Sequence, residues 1–264
     1  MLFLAPVITI YILVMAFIFG AVFASFLGCM GWRITKGESV LKGRSHCDYC
    51  GYVLAWRDLI PIVSFVLGKG RCAYCKKALS KVLLYGEISL ALLFVLVTLR
   101  YDVTPELFLY LFFICILYLI SITDIYDQMI PDSALLIAVI VRLLWFFVTE
   151  PFGWRGLLGL IGNGLSVSLP LLLLVLLMEK IRDMEMMGGG DIKLLFVMGL
   201  YIGWANNLLA LFLGCLTAII YGSLKQRKEG KEVYIPFGPF LSLGAVFALL
   251  IGDGLIQWYL SLFI

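Results

Sequence analysis

Two short segments hold the carboxylates best placed to do chemistry: Thr123-Asp124-Ile125-Tyr126-Asp127-Gln128-Met129-Ile130-Pro131-Asp132, and Met187-Gly188-Gly189-Gly190-Asp191-Ile192-Lys193. Two carboxyl groups held together cannot both ionise easily, so one keeps a proton while the other acts as base on a bound water. Such a pair hydrolyses a peptide bond without an imidazole. That suits a chain whose one histidine is His46. A Ser-His-Asp triad or a Cys-His pair would have to use that residue, and two-histidine zinc-protease motifs cannot be built. Pro131 breaks the chain between the carboxylates of the first segment, and Gly188, Gly189 and Gly190 allow close backbone approach and a hinge ahead of Asp191. Asp191 would open a helix, whose macrodipole favours a negative charge there. Spacing alone is equally compatible with Asp191 as a helix cap and with Asp124, Asp127 and Asp132 as interfacial charges.

A second constellation is Cys47-Asp-Tyr-Cys50 and Cys72-Ala-Tyr-Cys75, with 21 residues between the pairs. Two Cys-x-x-Cys knuckles suit a tetrahedral zinc ion, each supplying two thiolates, and with all four positions filled the ion is structural. Gly51 follows one knuckle as a turn residue, and Lys76-Lys77 follow the other, compensating an anionic site. The alternative is two disulfides, which a reducing cytosol disfavours. His46 either substitutes at one position or flanks the site. Cys29, Cys115 and Cys215 sit in apolar runs and read as small buried hydrophobes.

The elements that must position these groups follow from composition. Of 264 residues, 63% are apolar and 14% charged, and mean hydropathy is +1.07, which places the chain in a lipid bilayer rather than in water. A net charge of +3 gives no general support for a nucleic-acid partner. Apolar runs recur at Leu4–Cys29, Val82–Leu99, Leu107–Thr123, Ser133–Val148, Leu157–Met178, Ile192–Trp204, Leu208–Leu224 and Ile235–Ile264. The expected fold is an all-α polytopic membrane protein of about eight transmembrane helices, the first of them retained. Ile192–Trp204 is short for a span, and reads as tilted, re-entrant or extended by its neighbours. Ten Lys and Arg residues lie in Trp32–Lys81, three in Glu179–Lys193 and four in Lys225–Lys231, leaving Arg100, Arg142 and Arg155 elsewhere. Basic loops stay cytoplasmic, so the N-terminus is extracytoplasmic, and the cysteine loop at 32–81 and both aspartate segments face the cytosol. Charges inside spans are costly. Glu87 is expected to meet Arg33, Arg71 or a basic substrate, and Arg142 to pair with Glu87 or a backbone carbonyl. Lys193 either stabilises an anionic intermediate or compensates the aspartates. Two other readings of the whole chain are a transporter with these charges along its pathway and a catalytically silent assembly factor.

The chain resembles the type IV prepilin peptidases, bifunctional leader peptidases and N-methyltransferases of bacterial pilus, type II secretion and competence systems. The resemblance covers nearly the whole chain. It rests on Ala24-Ser25-Phe26-Leu27-Gly28, Arg44-Ser45-His46-Cys47-x-x-Cys50, Trp56-Arg57-Asp58-Leu59-Ile60-Pro61 and Gly70-Arg71-Cys72-x-x-Cys75. Tyr85-Gly86-Glu87, Asp124…Ile130-Pro131-Asp132 and Gly188-Gly189-Gly190-Asp191-Ile192-Lys193 complete it, the last two resembling the paired signatures of the GxGD aspartic proteases. The resemblance implies Asp124 and Asp191 as the catalytic aspartates; Gly188, Gly189, Gly190, Lys193 and Glu87 are expected to support them. The spacing of Cys47, Cys50, Cys72 and Cys75 makes the expected loop zinc-ribbon-like. Substrates would resemble prepilins or pseudopilins with a short basic leader ending in glycine, cut before a hydrophobic helix at the cytoplasmic face of the bacterial inner membrane. The new N-terminus would then be methylated from S-adenosylmethionine, an activity implied by the resemblance alone. Where the family has Gly-Ser-Phe-Leu-Asn, this chain runs Ala24-Ser25-Phe26-Leu27-Gly28, without the asparagine. The implied division is an N-terminal methyltransferase region at 1–99, including the loop, and a six-helix peptidase domain at 100–264.

Overall fold

Backbone polar groups inside a bilayer must be satisfied within their own segment, which leaves the α-helix as the form for an apolar run outside a closed barrel. The computed structural model describes residues 6–40, 43–47, 49–149, 153–182, 187–229 and 235–263, and among them it is helical with no strand. Leu4, Lys231 and Ile264, which bound segments expected above, and Asp48 of the first knuckle lie outside the described residues. The helices are α1 (Pro6–Thr35), α2 (Val63–Leu67), α3 (Lys81–Tyr101), α4 (Pro105–Asp127), α5 (Asp132–Thr149), α6 (Trp154–Arg182), α7 (Gly189–Glu229), α8 (Gly238–Phe247) and α9 (Asp253–Ser261). A 3-10 turn at Trp56–Leu59 precedes α2, and one π turn at Ala248–Gly252 joins α8 to α9.

Among the described residues, seven segments are long and apolar enough to cross a membrane, with α8 and α9 counted as one. Eight apolar runs become seven helices because α7 holds two of them. At 1.5 Å per residue, its 41 residues would span about 60 Å as a straight rod, twice the hydrocarbon thickness. It is not straight. Gly203 has φ 78° and ψ 167°, a conformation essentially restricted to glycine. Beyond it, the Asn207 side-chain amide donates to the Leu195 carbonyl at 2.9 Å, twelve residues back, where a continuous helix would separate them by about 18 Å. α7 is therefore a helical hairpin, and its halves correspond to Ile192–Trp204 and Leu208–Leu224.

The break at Gly203 strips the preceding turn of its helical hydrogen bonds, and those carbonyls need other donors. Arg142 of α5 supplies one, its Nε donating to the Leu200 carbonyl at 2.8 Å. The neighbouring Tyr201 hydroxyl donates to the Ala138 carbonyl of α5 at 2.7 Å. Of the two partners expected for Arg142, the backbone carbonyl is the one found.

By its contacts the chain divides into two compact units, Met1–Ile122 and Thr123–Ile264, the boundary falling inside α4. In the first unit, α1 presents small buried residues at Gly20, Ala24, Gly28 and Gly31. A Cβ built on Gly20 would lie 2.7 Å from the Ala91 Cα of α3, so small residues set the separation of these helices, as is usual in membranes. In the second unit, α5, α6 and α8 pack on α7. Pro170 lies within α6, a position tolerated in a membrane helix.

Candidate active site

The first aspartate segment ends α4. Gln128 takes a left-handed conformation (φ 52°), its N–H bonds the Asp124 carbonyl at 3.0 Å, and Pro131 cannot continue the helix, so the chain turns directly into α5. Asp124 sits one turn before this stop and is buried at 6% exposure. The second segment opens α7, placing Asp191 in its first turn. Both aspartates line one cavity of about 390 Å³ with Gln128, Met129, Ile130, Pro131, Asp132, Gly188, Gly190 and Lys193. They stand close enough to interact electrostatically. Of the carboxylates weighed from sequence, Asp124 and Asp191 are brought together, Asp132 is at the rim, and Asp127 is exposed on the last turn of α4.

Close approach explains one glycine of the triplet directly. A Cβ on Gly190 would lie 3.0 Å from the Ile130 Cβ, so the entry to α7 rests against the segment that follows α4. Gly188 has more room, and a Cβ on Gly189 would meet nothing within 4 Å. Lys193 pairs with Asp132 at 2.7 Å, both side chains being exposed. This ion pair lies at the rim of the cavity that Asp124 and Asp191 line.

One residue that sequence reading missed contacts Asp124. The Gly238 N–H donates to Asp124 Oδ2 at 2.8 Å. Gly238 is the first residue of α8, so its amide is one of the donors that a helix N-terminus leaves unpaired, and Asp124 satisfies it. A side chain there would collide with its own acceptor, because a Cβ would lie 2.8 Å from Oδ2 and 3.2 Å from Cγ. The available signal is Phe237-Gly238-Pro239, a glycine and a proline opening a helix.

The cysteine loop is built from two equivalent knuckles. Cys47 N–H bonds the Tyr52 carbonyl and Gly51 N–H the Cys47 carbonyl; Cys72 N–H bonds the Lys77 carbonyl and Lys76 N–H the Cys72 carbonyl. Gly51 and Lys76 occupy the same position in the two turns and share positive φ, 68° and 59°. Isolated bridges His46 to Val53 and Arg71 to Ala78 close both turns alike. The four thiol sulfurs lie within 4.8 Å of one another, Cys47 and Cys75 at 3.9 Å, and none of them is disulfide-bonded. This cluster could hold a metal ion. Backbone N–H groups of Cys75 and Tyr74 lower the Cys72 thiol to about 7. Cys50, although the Tyr52 backbone lowers it, is raised to about 11 by desolvation and by the Cys47 and Cys75 thiols. His46 is not among the clustered ligands; its Nδ1 lies 3.3 Å from the Arg44 carbonyl.

Glu87 is buried and meets a partner that the sequence did not suggest. Its carboxylate accepts the Ile62 N–H at 2.7 Å. Ile62 has φ 62° and ψ −52° and sits in a γ-turn, closed by the Val63 N–H on the Pro61 carbonyl. Such a conformation is strained for a β-branched residue, and the Glu87 hydrogen bond ties it to α3.

The fold and the two clusters define a polytopic membrane protein with a pair of carboxylates in one cavity and a thiol-rich loop. Comparison with known proteins carries this further. Residues 18–101 match the bacterial peptidase A24 N-terminal domain, and residues 111–223 match the type IV leader peptidase family. A prepilin leader peptidase/N-methyltransferase of Bacillus subtilis (strain 168) is 30% identical over 249 residues, covering 93% of this chain and 97% of that protein. Proteins of the same name from Pseudomonas putida and Legionella pneumophila are each 30% identical, covering 85% and 83% of this chain and 78% and 76% of their own lengths. No solved structure matches the chain. The chain belongs to the type IV leader peptidase family.

Proposed function

We propose that the chain is a membrane aspartic endopeptidase that removes a short basic leader from prepilin-like proteins and then N-methylates the new terminus. The observation that carries the peptidase reading is that Asp124 and Asp191 line one cavity. One carboxylate takes a proton from water as it attacks the scissile carbonyl; the other, protonated, gives its proton to the departing amine, after which the roles exchange. The Gly238 amide fixes the rotamer of Asp124 and leaves Oδ1 for the reaction. Placing both aspartates at the cytoplasmic face of a bacterial inner membrane follows from the basic loops beside them. Methyl transfer is supported by the names of the relatives, and S-adenosylmethionine would be the donor; it belongs to the N-terminal region at 1–99, and peptide cleavage to 100–264.

The cysteine cluster suits zinc. A tetrahedral tetrathiolate site with zinc–sulfur bonds of about 2.3 Å needs sulfur separations of about 3.8 Å, which the four thiols approach. Cys47, Cys50, Cys72 and Cys75 would hold the ion, which would fix the shape of the loop.

The test is incubation of purified protein with a prepilin-like substrate and S-adenosylmethionine, beside Asp191→Asn and Asp124→Asn. Wild type is expected to cut after the leader glycine and yield a product heavier by one methyl group. Each variant should insert and fold normally but lose cleavage by roughly 10³-fold or more, as removal of an acid or base requires. Cleavage at the wild-type rate in either variant would overturn the assignment.

A further inference from the structure

Beside the aspartate cavity lies a larger apolar groove of about 550 Å³, formed by α5, α6 and α7 of the same unit. Its floor is buried: Leu135 of α5, Ser168 of α6 and Val197 of α7. The Ser168 hydroxyl is already committed to the Gly164 carbonyl, so it presents no free donor upward. The rim carries exposed Leu136 of α5 and Leu165 and Leu169 of α6. Asp132 and Lys193 line both the groove and the aspartate cavity, so the two are continuous across that ion pair.

We propose that this groove seats the first two turns of the hydrophobic helix that follows the scissile bond, a placement that rests on the peptidase reading above. Along α5 the lining runs from Asp132 to Val139, seven residues or about 10 Å, which is close to two helical turns. Along α6 it uses Leu165, Ser168, Leu169 and Leu172, one face at helical spacing. Its polar end adjoins the aspartates, and the rest is apolar. A substrate with its cut site between the carboxylates therefore has only one polarity available: scissile bond at the Asp132 end, apolar residues running on between α5 and α6. Lipid contacts outward-facing surfaces generally, but a lipid chain needs no opening toward two carboxylates. A peptide whose character changes from polar to apolar just past its cut site needs that continuity.

The test combines crosslinking with kinetics on the full chain in lipid nanodiscs. Benzoylphenylalanine at Leu169 or Leu172 should crosslink to a prepilin-like substrate within the first seven or so residues after the cut, as two turns of helix require. At Leu174, on the opposite side of α6, it should not. Filling the groove with Leu169→Trp or Val139→Trp should raise KM for the membrane-anchored substrate roughly tenfold or more while kcat changes little, the cost of leaving one large side chain unburied. The ratio of its kcat/KM to that of a soluble peptide ending just past the cut should fall with it. Normal cleavage by wild type, with equal crosslinking at Leu169 and Leu174, or crosslinks to lipid alone, would overturn the groove and leave the peptidase reading standing. Failure of correctly folded wild type to cleave would overturn that reading, and the groove with it.

Discussion

Asp124 is held by a donor 114 residues away in the chain, the amide of Gly238. Two carboxylates beside Pro131 and the Gly188–Gly190 triplet announce themselves by residue type and spacing. A donor that is only a backbone N–H has no side chain to read, which is why Gly238 stayed invisible while its acceptor did not. The same holds at Glu87: its position in a span marks it as important, but its partner is the amide of Ile62. Gly238→Ala keeps the donor and adds only a methyl group, whose carbon would sit 2.8 Å from Asp124 Oδ2. The carboxylate must rotate or the start of α8 must withdraw. A displacement of that size at a reacting group costs on the order of 10² in rate. Gly238→Ala is therefore expected to lower kcat by about 10²-fold with KM nearly unchanged, measured on detergent-solubilised protein whose thermal midpoint is followed in parallel. A wild-type kcat would show that the Asp124–Gly238 bond is not needed for chemistry.

Helices α1, α3, α4, α5 and α6 could be read from hydropathy because each is one apolar run between polar boundaries. α7 could not, because its two runs are separated by only a few residues, and what divides them is the conformation of Gly203. Arg142 belongs to that break: a guanidinium within a span is costly unless it replaces hydrogen bonds the helix has lost, and it does so at Leu200. Arg142→Leu would leave that carbonyl without this donor, and the expected loss of stability is about 1–3 kcal/mol, read as a lower thermal midpoint in detergent. An unchanged midpoint would mean that another donor serves the carbonyl equally well. The cysteine loop was legible in its ligand spacing, whereas the γ-turn at Ile62 was not, since an isoleucine gives no sign of positive φ. In the zinc site proposed above, Cys50→Ser would remove one of four thiolate ligands, and elemental analysis of the purified protein should show zinc content falling well below one per chain. Full zinc occupancy in that variant would refute the four-thiolate site.

At the scale of the whole chain, the hairpin in α7 decides how many times the protein crosses the bilayer. If α7, folded at Gly203, crosses twice and each other long apolar segment among the described residues crosses once, the crossings number eight. Were α7 to cross once, Glu179–Lys193 and Lys225–Lys231 would face opposite compartments, and one basic loop would be translocated against the positive-inside rule. With the hairpin, both would return to the side of the Trp32–Lys81 loop, which its ten basic residues make the expected cytoplasmic side. The backbone break is thus compatible with the topology expected from charge counting, and neither uses the identity of the aspartates. Alkaline phosphatase, active only outside the cytoplasm, separates the two cases when joined after Ser261. Activity is expected there and not in a fusion after Lys228. The reverse pattern would mean that α7 spans once and that Asp191 and Lys228 lie on opposite faces. Activity at both positions would mean that Lys228 is extracytoplasmic and that α8 and α9 return without crossing. In either case the cytoplasmic siting of the cleavage chemistry would lose its support.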